Sequence, residues 1–328
     1  TKAILTGGGR ATRLRPITST INKHLIPLAG KPMIFHAIEK VIEAGITEIF
    51  INTNPGDVQI QNAVGDGSRW GITIRYFEQT GGPQGIAHVV KCAEHFIGND
   101  PFMFYLSDNI ILGSLKPLVE KFSSGNSDCL LTLAKVPDPD RFGVPEFDMG
   151  GRLIDVLEKP KHPPSDFAVT GIYLYGKDFF TAFDHIKKSA RGEYEISDIH
   201  SFFLKNRYRV VTEEITGWWK DTGKPDDLLD ANRLLIDLLP LPVTSNQMPI
   251  VRSGSVQIGK GVTVGANVLL NGPVIIGDNT KLENVTIGPY VSIGKECNLK
   301  DVTIEESIIF DQVTIDAPLH LKKSIMGE

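Results

Sequence analysis

The sequence predicts an α/β domain with a doubly wound, mixed and mostly parallel sheet, followed by a parallel β-helix. Three observations carry this. Short apolar runs and amphipathic helical segments alternate through the first two-thirds of the chain. The first apolar run leads straight into Gly7, Gly8 and Gly9, as in Rossmann-like folds that bind a ligand at strand ends. Near the C-terminus an aliphatic–x–aliphatic–Gly signature recurs every six residues, and such a period builds one flat face of a coil per repeat.

Taken in order, the first strand covers the run from Lys2 to Thr6, and Pro16 predicts that the loop after the glycines stays extended. Residues 31–45 read as a helix with Pro32 in its first turn, Gly45 as its stop and Ile34, Ile38, Val41 and Ile42 on its core face. Residues 47–53, 102–106 and 153–157 read as buried strands. A second helix is predicted over 84–96, burying Ile86, Val89, Val90 and Ala93. After a helix ending near Asp237, the Pro-rich stretch around Pro240 and Pro242 reads as a linker. These boundaries predict domains at 1–239 and 250–328, joined by 240–249. The hexads then run from Val256 through Val262, Val268, Val274 and Thr280, slip by one residue, and resume at Val285, Val291 and Cys297.

Composition narrows the function. With 328 residues, 41% hydrophobic and 22% charged, the chain has room for about two globular domains. A formal net charge of −5 with no basic block argues against a nucleic-acid surface. Arg10, Arg13, Arg15 and Lys23 are therefore a local concentration suited to a small anion. No apolar run is long enough to span a membrane and no signal segment precedes the first strand, so neither a membrane nor a secretory destination is expected. Cys92, Cys129 and Cys297 are too few and too scattered for a disulfide framework or a Cys-based zinc site. The expected location is the cytoplasm.

The chemistry gathers at three places. Glycines let backbone N–H groups approach a ligand closely, and the cations that follow suit a triphosphate. The loop is neither a P-loop, which ends in Gly-Lys-Ser/Thr, nor a dinucleotide fingerprint, so a turn with solvated arginines competes with the cradle. Asp108 and Asp221 end apolar runs and could hold a hard cation such as Mg²⁺ carrying the triphosphate, against the alternative of two turn or cap residues. Glu158 and Lys159 place an acceptor and a cation at one rim, or form a surface ion pair.

Further motifs occur in order: Lys23-x-Leu-x-Pro27, Ser107-Asp-Asn109, Phe142-Gly-Val144, Glu158-Lys-Pro160, Val169-Thr-Gly171 and Trp219-x-Asp-Thr-Gly223. Together with the glycine loop they resemble the sugar-1-phosphate nucleotidylyltransferases. Gly65-Asp-Gly-Ser-x-Trp-Gly71 and Ser189-Ala-Arg-Gly-Glu-x-Glu-Ile-x-Asp198 narrow the resemblance to the glucose-1-phosphate thymidylyltransferases. The hexads resemble the left-handed β-helix of hexapeptide-repeat proteins and suggest the long form of that enzyme.

The resemblance implies attack by glucose 1-phosphate on the α-phosphorus of dTTP, giving dTDP-glucose and pyrophosphate. It implies catalytic roles for Arg13, Lys23, Asp108, Lys159 and Asp221, with Mg²⁺ on Asp108 and Asp221. Its binding set is Leu5, Gly7, Gly8, Gly9, Thr12, His24, Gln79, Gly85, Phe142, Gly143, Glu158, Val169, Gly171 and Trp219. Gln79 and Gly85 would meet the base, although Gln84 competes, because the interval from Gln79 to Gly85 is one residue longer than the family's. Ala11 stands where the family has Gly, and His24 where it has Gln. UTP in place of dTTP, a non-catalytic sugar-nucleotide-binding regulatory subunit, and a fused acyltransferase are the competing readings. The last lacks a His placed within the hexads. A homo-oligomer built through the repeats is expected.

Overall fold

The computed structural model describes residues 1–9, 11–238 and 250–327. Arg10 and the predicted linker over 240–249 lie outside these. Two compact units are present: Thr1–Arg10 with Ile34–Asp221, and Ala11–Met33 with Thr222–Glu328.

The first unit is built on one nine-stranded mixed sheet. Its main path runs Leu153–Glu158, Gly143–Phe147, Phe167–Tyr175, Phe102–Tyr105, Lys2–Thr6, Glu48–Thr53 and Thr73–Glu78. The last four form a parallel block, with Leu5 in register with both Ile51 and Tyr105. Residues such as Ala3, Ile4, Leu5, Ile49, Phe50 and Phe102 are fully buried, as expected where a sheet is covered on both faces. Because these strands are parallel, Thr6, Thr53, Glu78 and Tyr105 all end at one edge, where α/β sheets bind ligands. Phe167–Tyr175 joins the block antiparallel and carries Gly143–Phe147 and Cys129–Lys135 with it. An aromatic core of Phe102, Tyr175, Phe179 and Phe203 packs below. Within it the Tyr175 hydroxyl lies 2.7 Å from His200 Nε2, and burial pushes the His200 pKa down to about 3.

Local turn chemistry changed two predicted helices and one predicted loop. The first helix spans Met33–Glu43, and Lys31–Pro32 instead pairs antiparallel with Pro27–Leu28. Ala29 and Gly30 both have positive φ, the geometry of a two-residue hairpin loop, so Pro32 closes a ribbon rather than opening a helix. The second helix starts at Ile86, after Gly85 at φ 95°, and breaks at Ala93 into Ile86–Cys92 and Glu94–Ile97. The loop beyond the glycines is not extended. Thr12–Leu14, Ile17–Ser19 and Lys23–Leu25 are 3₁₀ turns, closed by bonds such as Leu14 N–H to the Ala11 carbonyl (3.0 Å).

The second unit is a stack of parallel strands. Val256 pairs with Val274, three hexads on, and Val274 with Val291, one residue short of three hexads. The slip read in the sequence is thus a shortened coil. Hexad glycines sit where coils touch: a Cβ on Gly277 would lie 2.5 Å from the Gly294 backbone. Helix Pro225–Ile236 and the segment Ala11–Met33 belong to this unit. Asn232, almost fully buried, links them: its Oδ1 accepts from the Ala29 N–H at 2.8 Å and from the Ser292 hydroxyl at 2.9 Å. Replacing Asn232 by Leu would leave a buried N–H and a hydroxyl without that acceptor, at about 1–3 kcal/mol. Calorimetry should show that loss; an unchanged melting temperature would mean the two bonds carry no stability.

Candidate active site

The sheet edge of the first unit holds two groups of residues. The first surrounds a cavity of about 450 Å³ lined by Thr6, Gly8, Gly9, Gln79, Gly85 and Glu193, among others. Gln79 ends the strand region after Glu78, and Gly85 opens the helix behind it, so the cavity lies at the carboxyl end of the parallel block. The competing Gln84 points back onto its own loop, donating to the Thr80 carbonyl at 3.3 Å. Leu5 is buried in the strand below, and Gly7 donates to the Asn52 carbonyl at 2.9 Å. Two asparagines that the motifs did not single out hold the glycine loop. Asn52 Oδ1 accepts from Gly7 N–H at 3.2 Å, and Asn54 Oδ1 accepts from Gly9 N–H at 2.9 Å. Both follow from the strand Glu48–Thr53 ending beside the loop, a pairing invisible in linear sequence.

The second group is a wall made by neighbouring strands. Glu158 and Val169 are both register partners of Gly143, so the three stand side by side. Phe142 packs edge-on to Trp219, with ring centroids 5.2 Å apart. The Phe142 carbonyl accepts from Lys159 N–H at 2.9 Å, and Lys159 turns outward at φ 46° to place Nζ 3.1 Å from Glu158 Oε1. Arg191, from the Ser189–Asp198 motif, adds a second cation: its Nη2 lies 3.4 Å from Glu158 Oε1 and 2.8 Å from Glu195 Oε2. Burial opposes that charge, but the Glu195 bonds outweigh it and keep the guanidinium pKa above its ordinary value. Glu193 of the same loop lines the cavity, so one short segment serves both groups.

The backbone sets Asp108 and Asp221 at neighbouring positions. Asp108 follows the main-sheet strand Phe102–Tyr105, whereas Asp221 lies in Trp219–Asp221, which pairs antiparallel with Asn109–Ile111 in a separate two-stranded ribbon. That register sets Asp221 opposite Asn109, next to Asp108. Asn109 is the hub: Nδ2 donates to Asp108 Oδ1 at 3.0 Å, while Oδ1 accepts from Gly171 N–H at 3.1 Å and from the Trp219 indole at 2.7 Å. Two carboxylates on adjacent positions are oxygen donors of the kind a hard divalent cation takes. They fit Mg²⁺. Among the described residues, no cluster of three or more His, Cys, Asp or Glu could hold a metal by itself, so a cation here would complete its shell with other oxygens.

Thr12, Arg13, Lys23 and His24 belong to the second unit. Arg13 is exposed on its 3₁₀ turn, whereas His24 is buried with Nδ1 3.2 Å from Asn22 Oδ1. Its ring braces the turn that presents Lys23. Ala11 adopts φ 42°, the left-handed conformation a glycine would take freely, at about 1 kcal/mol. No helix among the described residues is long and apolar enough to cross a membrane.

Comparison with known proteins adds the family. Residues 2–237 match the family model "Nucleotidyl transferase". The chain is 37% identical to the low-salt glycan biosynthesis nucleotidyltransferase Agl11 of Haloferax volcanii, over 100% of this chain and 92% of that protein. It is also 37% identical to a glucose-1-phosphate thymidylyltransferase of Streptomyces antibioticus, over 99% and 92%. A Bacillus anthracis crystal structure bearing the glucose-1-phosphate thymidylyltransferase name, solved with sucrose, superposes with a TM-score of 0.68 at 40% identity, over 73% of this chain and 96% of that one. The chain therefore belongs to the nucleotidyl transferase family, as an enzyme of the sugar-1-phosphate nucleotidyltransferase class resembling the long-form glucose-1-phosphate thymidylyltransferases.

Proposed function

We propose that the protein joins dTTP and glucose 1-phosphate to give dTDP-glucose and pyrophosphate, with Mg²⁺. The observation that supports this best is the Asn109 hub, which ties Asp108 to Gly171 and Trp219, so that the proposed metal carboxylate and the wall proposed for the sugar share one anchor. Displacement at an α-phosphorus requires in-line positioning and neutralised charge rather than a protein nucleophile. Asp108 and Asp221 would hold Mg²⁺, whose charge offsets that of the phosphates when bound. Arg13 would take the β- and γ-phosphates and steady charge on the departing pyrophosphate, a role resting on its motif. Lys23 would bridge the triphosphate and the attacking phosphate on the same basis. Lys159 and Arg191 would receive the sugar phosphate, and Glu158, Gly143 and the backbone at Val169 to Gly171 the sugar hydroxyls. Gln79 and Gly85 would read the base. The same reading takes 1–239 as the catalytic domain, 240–249 as a linker and 250–328 as an assembly domain of a cytoplasmic homo-oligomer.

Pyrophosphate release over a grid of four nucleoside triphosphates and several sugar 1-phosphates tests this. The dTTP rate should exceed that for UTP by a modest factor, because only one buried methyl, about 1 kcal/mol, separates them. ATP and GTP should be poorer by about a hundredfold or more. A preference for UTP would move the enzyme to the uridylyl class, and one for a purine would remove Gln79 from the base site. Lys159→Ala should raise the Michaelis constant for sugar phosphate well above any change in that for nucleotide. Equal changes in both would count against a dedicated sugar-phosphate contact.

A further inference from the structure

His88, on helix Ile86–Cys92, is outside the cavity wall but touches the side chain that would read the base. Gln79 Nε2 lies 3.1 Å from the Gly85 carbonyl oxygen and 3.1 Å from His88 Nδ1. An amide nitrogen only donates, and it has two hydrogens. Both are taken by the protein. Nδ1 must therefore accept, which makes the ring neutral with its proton on Nε2. Turning the amide over would set its oxygen against the Gly85 carbonyl, acceptor against acceptor. One orientation is selected, and Oε1 is the polar end that Gln79 offers to a ligand.

The ring doing this is itself held. It lies within 19° of parallel to Tyr194 with centroids 6.1 Å apart, and its centroid is 6.2 Å from that of Phe183. Cys92 Sγ sits 3.8 Å from Nδ1 and 3.9 Å from Nε2, one helical turn on. Burial, and then the positive charge of Lys188, hold the His88 pKa below the ordinary imidazole value, which favours the neutral ring that the Gln79 contact requires.

We propose that His88 is a positioning residue for base selectivity: by fixing the Gln79 amide it presents a hydrogen-bond acceptor to the nucleotide, favouring a pyrimidine with a ring N–H and rejecting cytosine. The proposal rests on the reading of the cavity as the base site. Thymine and uracil carry N3–H, whereas N3 of cytosine is an acceptor and would meet Oε1 lone pair to lone pair. The two ring outlines are nearly equal, so the edge decides.

The test is the ratio of kcat/KM for dTTP to that for dCTP, with glucose 1-phosphate as acceptor, in the wild type, His88→Phe and His88→Asn. Phe keeps an aromatic ring against Tyr194 and Phe183 but removes the acceptor. Asn offers an amide oxygen close to the position of Nδ1. The wild type should favour dTTP by about a hundredfold or more. His88→Phe should lower that ratio by about five- to tenfold, the Gly85 carbonyl still holding one hydrogen. His88→Asn should return it to within about threefold of wild type. The Michaelis constant for glucose 1-phosphate should stay level throughout, which a general loss of structure would not allow. If His88→Phe does not fold, His88→Ala is read in the same way. A wild-type ratio in the variant lacking the acceptor, or no recovery with Asn, overturns the role of His88. A wild type indifferent to dTTP and dCTP overturns the base-site reading beneath it instead.

Discussion

Turnover should collapse in Asp108→Asn and in Asp221→Asn, by about a hundredfold or more at ordinary Mg²⁺, while the fold survives. Each change removes one charge and keeps the side-chain outline. Asp108 already accepts from Asn109 Nδ2 at 3.0 Å, and an amide oxygen can keep that bond. The register that sets Asp221 opposite Asn109 is a backbone feature, so neither substitution should disturb the ribbon. What is lost is attraction for a divalent cation, which two neighbouring carboxylates supply and one supplies poorly. Melting temperatures should stay within a few degrees of wild type, since both positions are half-exposed and the substitution keeps the side-chain outline. A Mg²⁺ titration should show a higher half-saturation in both variants. Retention of more than about a tenth of wild-type turnover at saturating Mg²⁺ would mean that the altered Asp does not hold the metal.

The paired aspartates also show how far linear sequence reaches. Strand ends are legible because an apolar run that stops at Asp is a local pattern, and Asp108 and Asp221 were found that way. Their pairing on one cation was expected, but the backbone route that makes them neighbours was not legible. It depends on Trp219–Asp221 leaving the main sheet to pair with Asn109–Ile111, a long-range choice with no local signature. Asn109 was quoted only inside a motif, without a role, and Asn52 and Asn54 went unremarked, since a buried amide is recognised by the groups it joins. The hexads lie at the other extreme. Their six-residue period is imposed by the coil itself, so the repeat and its one-residue slip were readable directly. Turns fell between. Ala29 and Gly30 make a hairpin loop only when both take positive φ, and that outcome displaced a helix start that Pro32 alone would suggest. The segment Ala11–Met33 was read with the glycine loop it follows, yet its Ala29 N–H is held by Asn232 of the second unit.

Gly171→Ala should damage catalysis almost as severely by a purely steric route. A Cβ at Gly171 would lie 2.7 Å from Asn109 Nδ2, 2.8 Å from Asn109 Cγ and 2.8 Å from Leu106 Cβ. Leu106 cannot retreat cheaply, because its N–H is bonded to the Gly171 carbonyl at 2.8 Å. Asn109 is only 3% exposed and would have to give way, weakening its bonds to Gly171, Trp219 and Asp108 together. Overpacking of this kind costs about 1–3 kcal/mol of stability. The larger effect should fall on the reaction, because on the proposed reading one displaced amide would misplace both Asp108, held to carry the metal, and the wall held to receive the sugar. A misplacement of about 1 Å can cost a hundredfold in rate. The Michaelis constant for sugar phosphate should rise, whereas the preference for dTTP over dCTP should change little, since the hub bonds to Asp108, Gly171 and Trp219 while the base would be read at Gln79 and Gly85. Adding Asn109→Ala relieves the clash, so the double variant should regain stability relative to the sum of the two single changes while staying inactive. Strict additivity in stability, or wild-type kinetics in Gly171→Ala, would show that the Asn109 hub does not couple the metal end of the site to the sugar end.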